Sequence, residues 1–383
     1  MRVFLIAGEP SGDKLGAALM AGLKQLRPDV TFDGVGGPLM MAEGLESRFP
    51  MDELSVMGLA EILPKYRALK ARIRQMADAV LATKPDVLIT IDSPDFCLRV
   101  AKLVKAGSDI RTVHYVAPTV WAWRPGRAAK MAAHIDHVLA LFPFEPPYMQ
   151  AAGMDCDFVG HPVVAEPIAS AAEAEALGDG TVVLVLPGSR KSEVGRLADR
   201  FAQAVAKIAA QVPDARFVIP TTGGVHALVQ EQVAGWSGPV TVLPPGSPDK
   251  PAWFRRADVA LAASGTVSLE LAANGTPMVI AYDMAPLSRF IISRMLLVDT
   301  VTLVNLVSET RVIPEFIGKA CQPGPIADAV LAVLNAPEAQ QDAMALTMER
   351  LGLGGEAPGL GAARAVLARL EQAAVDGDQS QSQ

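Results

Sequence analysis

The sequence predicts an α/β protein made of two doubly wound, mainly parallel sheets that follow one another along the chain, with a cleft between them. Three observations carry this. Short aliphatic or β-branched runs of about five residues alternate with longer segments whose apolar residues recur at helical spacing. The alternation restarts close to residue 180. The 383 residues suit two domains at roughly 150 residues each.

Val3–Ala7 is the first strand, and Leu15–Leu26 repeats its apolar residues as a helix does. Val87–Ile91, Thr112–Val116 and Val138–Leu141 read as buried strands edged by Gly, Pro or Asp. Asp155–Gly160 closes the first half. The prolines of His161–Pro167 break any helix there and mark a linker. Thr181–Leu186 opens the second half, which Phe217–Ile219, Val240–Leu243, Val259–Ala262 and Met278–Ala281 continue. A helix over Gly361–Ala373 is expected to return to the first domain, and the polar end from Val375 is expected to be disordered. The expected division is thus 1–162, 163–350, a returning helix within 351–373 and a tail over 374–383.

Composition narrows the function. Lys and Arg number 34 against 41 Asp and Glu, a net charge of −7, which argues against a nucleic-acid partner because that needs a basic face. Cys97, Cys156 and Cys321 are too scattered for a disulfide framework or a zinc site. The start MRVFLIAGEPSGD lacks the basic flank, long apolar run and cleavage site of a signal peptide, and no apolar stretch reaches membrane-spanning length. A cytoplasmic protein is expected.

In open α/β sheets ligands bind beyond the carboxyl ends of the strands, so the loops there are the candidate sites. Gly8-Glu9-Pro10-Ser11-Gly12-Asp13 follows the first strand and opens a helix. Its small residues would let a ligand approach free N–H groups, or would simply make a tight turn capped by Ser11 or Asp13. It matches neither a dinucleotide fingerprint nor a Walker loop. Asp92 and Asp95, in Ile91-Asp92-Ser93-Pro94-Asp95-Phe96, could supply a general base or cap a helix, Asp95 being the more structural of the two. Trp121 and Trp123 could line an apolar pocket with Arg124 as an anion partner, or could be core. Leu186-Pro187-Gly188-Ser189-Arg190 adds a guanidinium to a strand-to-helix loop, which suits a diphosphate. In Ser264-Gly265-Thr266, the start of another helix, Glu270 lies one turn on and could accept bonds from a ribose diol. Asp155-Cys156-Asp157 is a weak metal signal, and His114 and His226 read as structural.

Leu54–Lys84 combines apolar Met57, Tyr66 and Ile73 with Arg67, Lys70, Arg72 and Arg74, against Glu61 and Asp78. A locally basic, greasy segment in an acidic protein is a candidate membrane-surface or acyl-chain site, or an ordinary amphipathic helix. Pro286–Val298 is a second such stretch.

Taken in order, GEPSGD at 8–13, GVGGPLM at 34–40, IDSPDF at 91–96, HYVAPTVWAWR at 114–124, FVGHP at 158–162, LPGSR at 186–190 and SGTVSLE at 264–270 resemble the lipid-A-disaccharide synthase family of bacterial glycosyltransferases. The resemblance implies two Rossmann-like domains of the GT-B kind. It implies inverting transfer of 2,3-diacylglucosamine from UDP-2,3-diacylglucosamine to the 6-hydroxyl of 2,3-diacylglucosamine 1-phosphate, with no cofactor and no required metal. Peripheral association with the inner membrane is also implied, and a homodimer is compatible with it. On this reading Asp92 is the base. Gly188, Ser189, Arg190, Ser264, Gly265 and Thr266 stabilise the departing UDP. Glu270 holds the ribose, Asn305 lies near the donor, and Ser11 and Gly12 meet a sugar. Met57, Tyr66, Arg67, Lys70, Ile73 and Arg74 meet membrane or acyl chains. The rival readings are another UDP-sugar enzyme of this fold, such as a UDP-N-acetylglucosamine 2-epimerase or the peptidoglycan glycosyltransferase, and a non-catalytic UDP- or lipid-binding protein.

Overall fold

A computed structural model describes residues 1–54, 59–263, 265, 267–285, 289 and 294–381, with 59–66 and 376–381 described as backbone only. The chain divides into two compact units, Met1–Pro162 with Gly354–Gln383, and Val163–Leu353.

In the first unit the elements run β1 (Arg2–Ala7), α1 (Pro10–Leu26), β2 (Thr31–Val35), α2 (Pro38–Ala42), α3 (Leu59–Thr83), β3 (Val87–Ile91), α4 (Pro94–Gly107), β4 (Arg111–Tyr115), α5 (Gly126–Ala132), β5 (His137–Ala140), α6 (Pro146–Gln150) and β6 (Asp155–Phe158). Among the described residues the strands form one six-stranded sheet in the order β2-β1-β3-β4-β5-β6, parallel throughout. Helices cover both faces, so central strands are apolar without alternation, and Val3, Phe4, Leu5 and Ile6 are all fully buried. The edge strand β2 reads Thr-Phe-Asp-Gly-Val with an exposed start, so no apolar run announces it in the sequence.

The second unit repeats the plan with α7 (Ala171–Glu175), β7 (Val182–Leu186), α8 (Lys191–Gln211), β8 (Arg216–Pro220), α9 (His226–Val233), β9 (Val240–Leu243), α10 (Lys250–Arg256), β10 (Val259–Ala262), α11 (Val267–Ala273), β11 (Met278–Tyr282), α12 (Leu303–Ser308), β12 (Glu315–Ile317), α13 (Pro323–Asn335) and α14 (Glu338–Arg350). Its sheet is also six-stranded and parallel among the described residues, in the order β12-β11-β10-β7-β8-β9. The edge strand β12 has only three residues, too few to leave a sequence signal.

The chain then returns to the first unit as α15 (Pro358–Gln381), which packs along α1. Two glycines allow that approach. A Cβ on Gly359 would lie 2.5 Å from the Ala18 carbonyl oxygen, and one on Gly22 would lie 2.6 Å from the Gly359 carbonyl oxygen. Farther along, Arg369 donates to both oxygens of Asp157 at 2.9 and 3.0 Å and to Asp155 at 3.3 Å. His137 shares Asp157 at 2.9 Å, and these partners hold the Asp157 carboxyl far below the usual carboxylate range. The Asp155-Cys156-Asp157 pattern therefore anchors the returning helix and is not a metal site. Residues 374–381, expected to be a disordered tail, continue the helical backbone. No proline interrupts the segment, so the helix runs on past Leu370, the last residue packed on the core, although Asp376, Gly377 and Asp378 are weak helix formers.

Gly359→Val is expected to lower stability by about 2 kcal/mol through overpacking at the α1 contact, with α15 becoming the first site of proteolytic nicking. Unchanged melting and nicking would show that the contact is loose.

Candidate functional site

Each sheet has one point at which neighbouring strands lead the chain away in opposite directions, and there the following loops part to leave a crevice. In the first unit it lies between β1 and β3, whose ends are in register as Ala7 and Ile91. The loops that follow touch: a side chain at Gly8 would meet the Ser93 hydroxyl at 2.7 Å. Asp92 and Ser93 both adopt the left-handed backbone, with φ of 50° and 42°. Non-glycine residues rarely occupy this region, and when held there they tend to mark functional sites. The Asp92 N–H donates to the Tyr115 carbonyl at 3.0 Å, which extends the ladder by one residue and fixes the start of the turn. The Ser93 hydroxyl is buried and has no hydrogen-bond partner among the described residues.

Asp92 borders a cavity of about 180 Å³ whose polar lining is completed by His114, Thr119 and Arg127. The His114 imidazole shares a 2.8 Å hydrogen bond with the Thr90 hydroxyl, and burial pushes its pKa down to about 4, so it is neutral at physiological pH. Arg127 was not singled out from the sequence. Its signal was the second arginine of Trp-Arg-Pro-Gly-Arg, just inside α5.

Neighbouring residues turn out to be supports. Asp13, considered a cap for its own helix, is buried and instead accepts N–H bonds from Gly37 at 2.9 Å and from Leu39 and Met40 at 3.0 Å. It thereby holds the start of α2, while Glu9 occupies the cap position of α1 without a capping side-chain hydrogen bond. Ser11 is exposed on the first turn of α1. Gly12, expected to meet a ligand, is buried: a Cβ there would lie 3.4 Å from the Ala7 side chain and 3.5 Å from the Ile91 carbonyl. Trp121 is interior, donating to Glu145 at 3.3 Å with Phe144 edge-on at 5.1 Å. Trp123 holds the cavity-lining Thr119 hydroxyl at 2.9 Å and carries the Arg124 guanidinium on its face at 4.4 Å.

In the second unit the divergence lies between β7 and β10, where Ala263 N–H donates to the Leu186 carbonyl at 2.9 Å. Gly188 then turns with φ of 112°. The Ser189 and Arg190 N–H groups point at one carboxylate oxygen of Glu193, at 3.1 and 3.3 Å, while Arg190 Nη1 reaches the other oxygen at 3.1 Å. The loop thus gathers two N–H groups and a guanidinium on a single anion, the donor set that a phosphate requires. The Arg190 side chain is 65% exposed and accessible to a ligand. Gly265 is exposed with φ of 145°, whereas Ser264 and Thr266 lie outside the described residues. Glu270 is half exposed and pairs with Lys250 at 3.0 Å, a partner sequence reasoning missed. Asn305 is only 1% exposed, and its amide bonds the backbone of Ile313 at 3.0 Å in both directions. It braces the loop before β12 from inside.

On α3, Arg67, Lys70 and Arg74 are exposed. Ile73 is 8% exposed and belongs to the core, and Arg72 turns back to grip Glu53 at 2.9 and 3.0 Å. Met57 and the Tyr66 side chain lie outside the described residues, as do 286–288 and 290–293 of the second greasy stretch. No helix among the described residues is long and apolar enough to cross a membrane.

Two doubly wound parallel sheets, each with its paired loops at the point of divergence, place the chain in the GT-B class of fold, the class of nucleotide-sugar glycosyltransferases and epimerases. A UDP-N-acetylglucosamine 2-epimerase from Neisseria meningitidis, solved with UDP-N-acetylglucosamine bound, is similar with a TM-score of 0.63, covering 97% of this chain and 100% of that one at 14% identity. That likeness concerns the fold alone. A family model described as lipid-A-disaccharide synthetase matches residues 3–357. The lipid-A-disaccharide synthase of Ruegeria pomeroyi is 64% identical, covering 97% of this chain and 96% of the relative, and that of Rhodospirillum centenum is 47% identical, covering 95% and 94%. The chain belongs to the lipid-A-disaccharide synthase family, a family of glycosyltransferases, and the epimerase reading is set aside.

Glu145 gives this region a pH dependence. It is 2% exposed, and burial raises its pKa to about 7 even though Leu141 N–H, Phe142 N–H and the Trp121 indole donate to it. A raised carboxyl favours the fold while protonated, and that contribution is lost as pH rises through 7. About 1 kcal/mol should disappear between about pH 6 and pH 8. Melting temperature should fall correspondingly over that interval in the wild type and fall less in Glu145→Gln. Equal slopes in the two proteins would reject the assignment.

Proposed function

We propose that this chain joins UDP-2,3-diacylglucosamine to 2,3-diacylglucosamine 1-phosphate with Asp92 as general base. The observation that carries the reading is Asp92 itself: a carboxylate on a strained turn, at the divergence point of its sheet, facing a cavity. Asp92 takes the proton of the acceptor's 6-hydroxyl as that oxygen attacks the donor's anomeric carbon. The bond from that carbon to the diphosphate breaks, its electron pair leaves on UDP, and the anomeric configuration inverts.

The charge gathering on UDP goes to the loop after β7. Its Ser189 and Arg190 N–H groups and the Arg190 guanidinium already converge on a carboxylate, so a diphosphate would take the place of Glu193 there. The exposed Gly265 turn would let the nucleotide approach closely. Glu270 uses one oxygen on Lys250 and would offer the other to the ribose diol. Ser11, exposed beside the Asp92 turn, would meet a sugar hydroxyl. Arg67, Lys70 and Arg74 would lie against anionic lipid headgroups of the inner membrane, from which the acyl substrates are drawn.

The decisive experiment measures UDP release from the diacyl donor, with and without the phosphorylated acceptor. Asp92→Asn should lower kcat by about 10²- to 10⁴-fold with UDP affinity by calorimetry retained, whereas Arg190→Ala should weaken UDP by about tenfold or more. Near-normal turnover of the first variant would remove Asp92 from the role of base. Replacing Arg67, Lys70 and Arg74 by Gln should release the protein from anionic liposomes, each cation contributing about 1 kcal/mol. Equal partitioning of wild type and variant would exclude this face.

A further inference from the structure

Asp92 does not line its cavity alone. His114, which reads as structural in the sequence, lies in the same wall on β4 and takes no part in the steps proposed above. It is 2% exposed, a buried polar ring near the carboxyl end of its strand. Side chains alternate along a strand, so His114 shares its face with Val116, which also lines the cavity.

Hydrogen bonding fixes what the ring offers. The Thr90 hydroxyl carries one proton and donates it to the Val113 carbonyl at 3.1 Å. Toward His114 Nδ1, at 2.8 Å, the same oxygen can then only accept, so Nδ1 carries the ring proton. Burial keeps the imidazole neutral by pushing its pKa down to about 4. Nε2 is therefore a bare lone pair. It has no hydrogen-bond partner among the described residues, yet it is not one of the polar atoms sealed inside without one. In a ring this buried, the surface left to Nε2 belongs to the cavity. The cavity thus holds two groups that need a proton donor, the Asp92 carboxylate and Nε2.

The acceptor sugar of the proposed reaction matches this pair. Its positions 2 and 3 are acylated and position 1 is phosphorylated, which leaves hydroxyls at 4 and 6. The 6-hydroxyl has a single proton, and Asp92 takes it. The 4-hydroxyl, on the same edge of the sugar, is the donor left for Nε2. An uncharged ring suits this place, because an imidazolium beside Asp92 would stabilise its carboxylate and weaken it as a base.

We infer that His114 Nε2 accepts a hydrogen bond from the 4-hydroxyl of the acceptor sugar, which orients the 6-hydroxyl toward Asp92 and selects for a free 4-position. The inference rests on the function proposed above and adds a substrate-binding residue to it.

The test compares kcat/KM for the acceptor sugar and its 4-deoxy analogue. Wild type should prefer the native sugar by about tenfold or more, because the analogue leaves Nε2 buried and unpaired. His114→Phe keeps a ring there without the lone pair and should reduce that preference to about twofold or less. UDP binding by calorimetry reports whether the variant is folded. No preference in wild type, or an equal preference in wild type and folded variant, would overturn the inference. Should His114→Phe not fold, the wild type decides alone. The nitrogen NMR signal of Nε2 should shift when the native sugar is added with UDP and stay in place with the analogue. A shift with both sugars, or with neither, refutes the contact. If the wild type joins neither sugar to the donor, it is the proposed function that fails.

Discussion

Everything chemical in this molecule depends on where parallel strands stop. In each unit two adjacent central strands end in register, Ala7 beside Ile91 and Ala262 beside Leu186, and the chain then leaves them in opposite directions. The next few residues cannot continue the ladder, so their backbone groups and short side chains are free to take unusual conformations. The left-handed Asp92–Ser93 turn and the Gly188 turn both arise this way. Buried strands on either side supply the rigidity that holds them there.

Much of this is legible in the sequence. Continuous apolar runs reveal the central strands, because both of their faces are covered, and small-residue loops after them reveal the candidate sites. The edges are not legible: β2 is half polar and β12 is too short to be distinguished from loop. The site is legible at the level of loops and much less so at the level of atoms. Asp92, Arg190 and Glu270 are placed where a ligand can reach them, but Gly12 and Asn305 are packed inside. Only three-dimensional partners distinguish such residues. The same holds for Asp13 and Asp157, carboxylates that resemble reactive groups in sequence and serve as struts because backbone N–H groups or an arginine converge on them.

The loop after β7 shows how a charge-binding site can be kept orderly. Its N–H donors do not depend on solvent, because the Glu193 carboxylate, one turn into α8, satisfies them. On the proposed function a nucleotide would displace one anion with another there, so its affinity would reflect a difference between two similar interactions and not the full strength of either. The supports on the other unit work in a similar spirit: Trp121 and Glu145 stiffen the strand ends behind the Asp92 cavity without entering it.

The route of the chain has a biosynthetic consequence. Because α15 returns to α1, the second unit is an insertion within the first, entered after Pro162 and left before Gly354. During synthesis the early sheet emerges from the ribosome long before the helix that covers it. The groove that Gly22 keeps open on α1 stays uncovered while the whole insert is translated and folds. A nascent chain interrupted before residue 358 would retain every strand of both sheets, yet lack the piece that closes the first, and would expose an apolar helix face suited to capture by a chaperone.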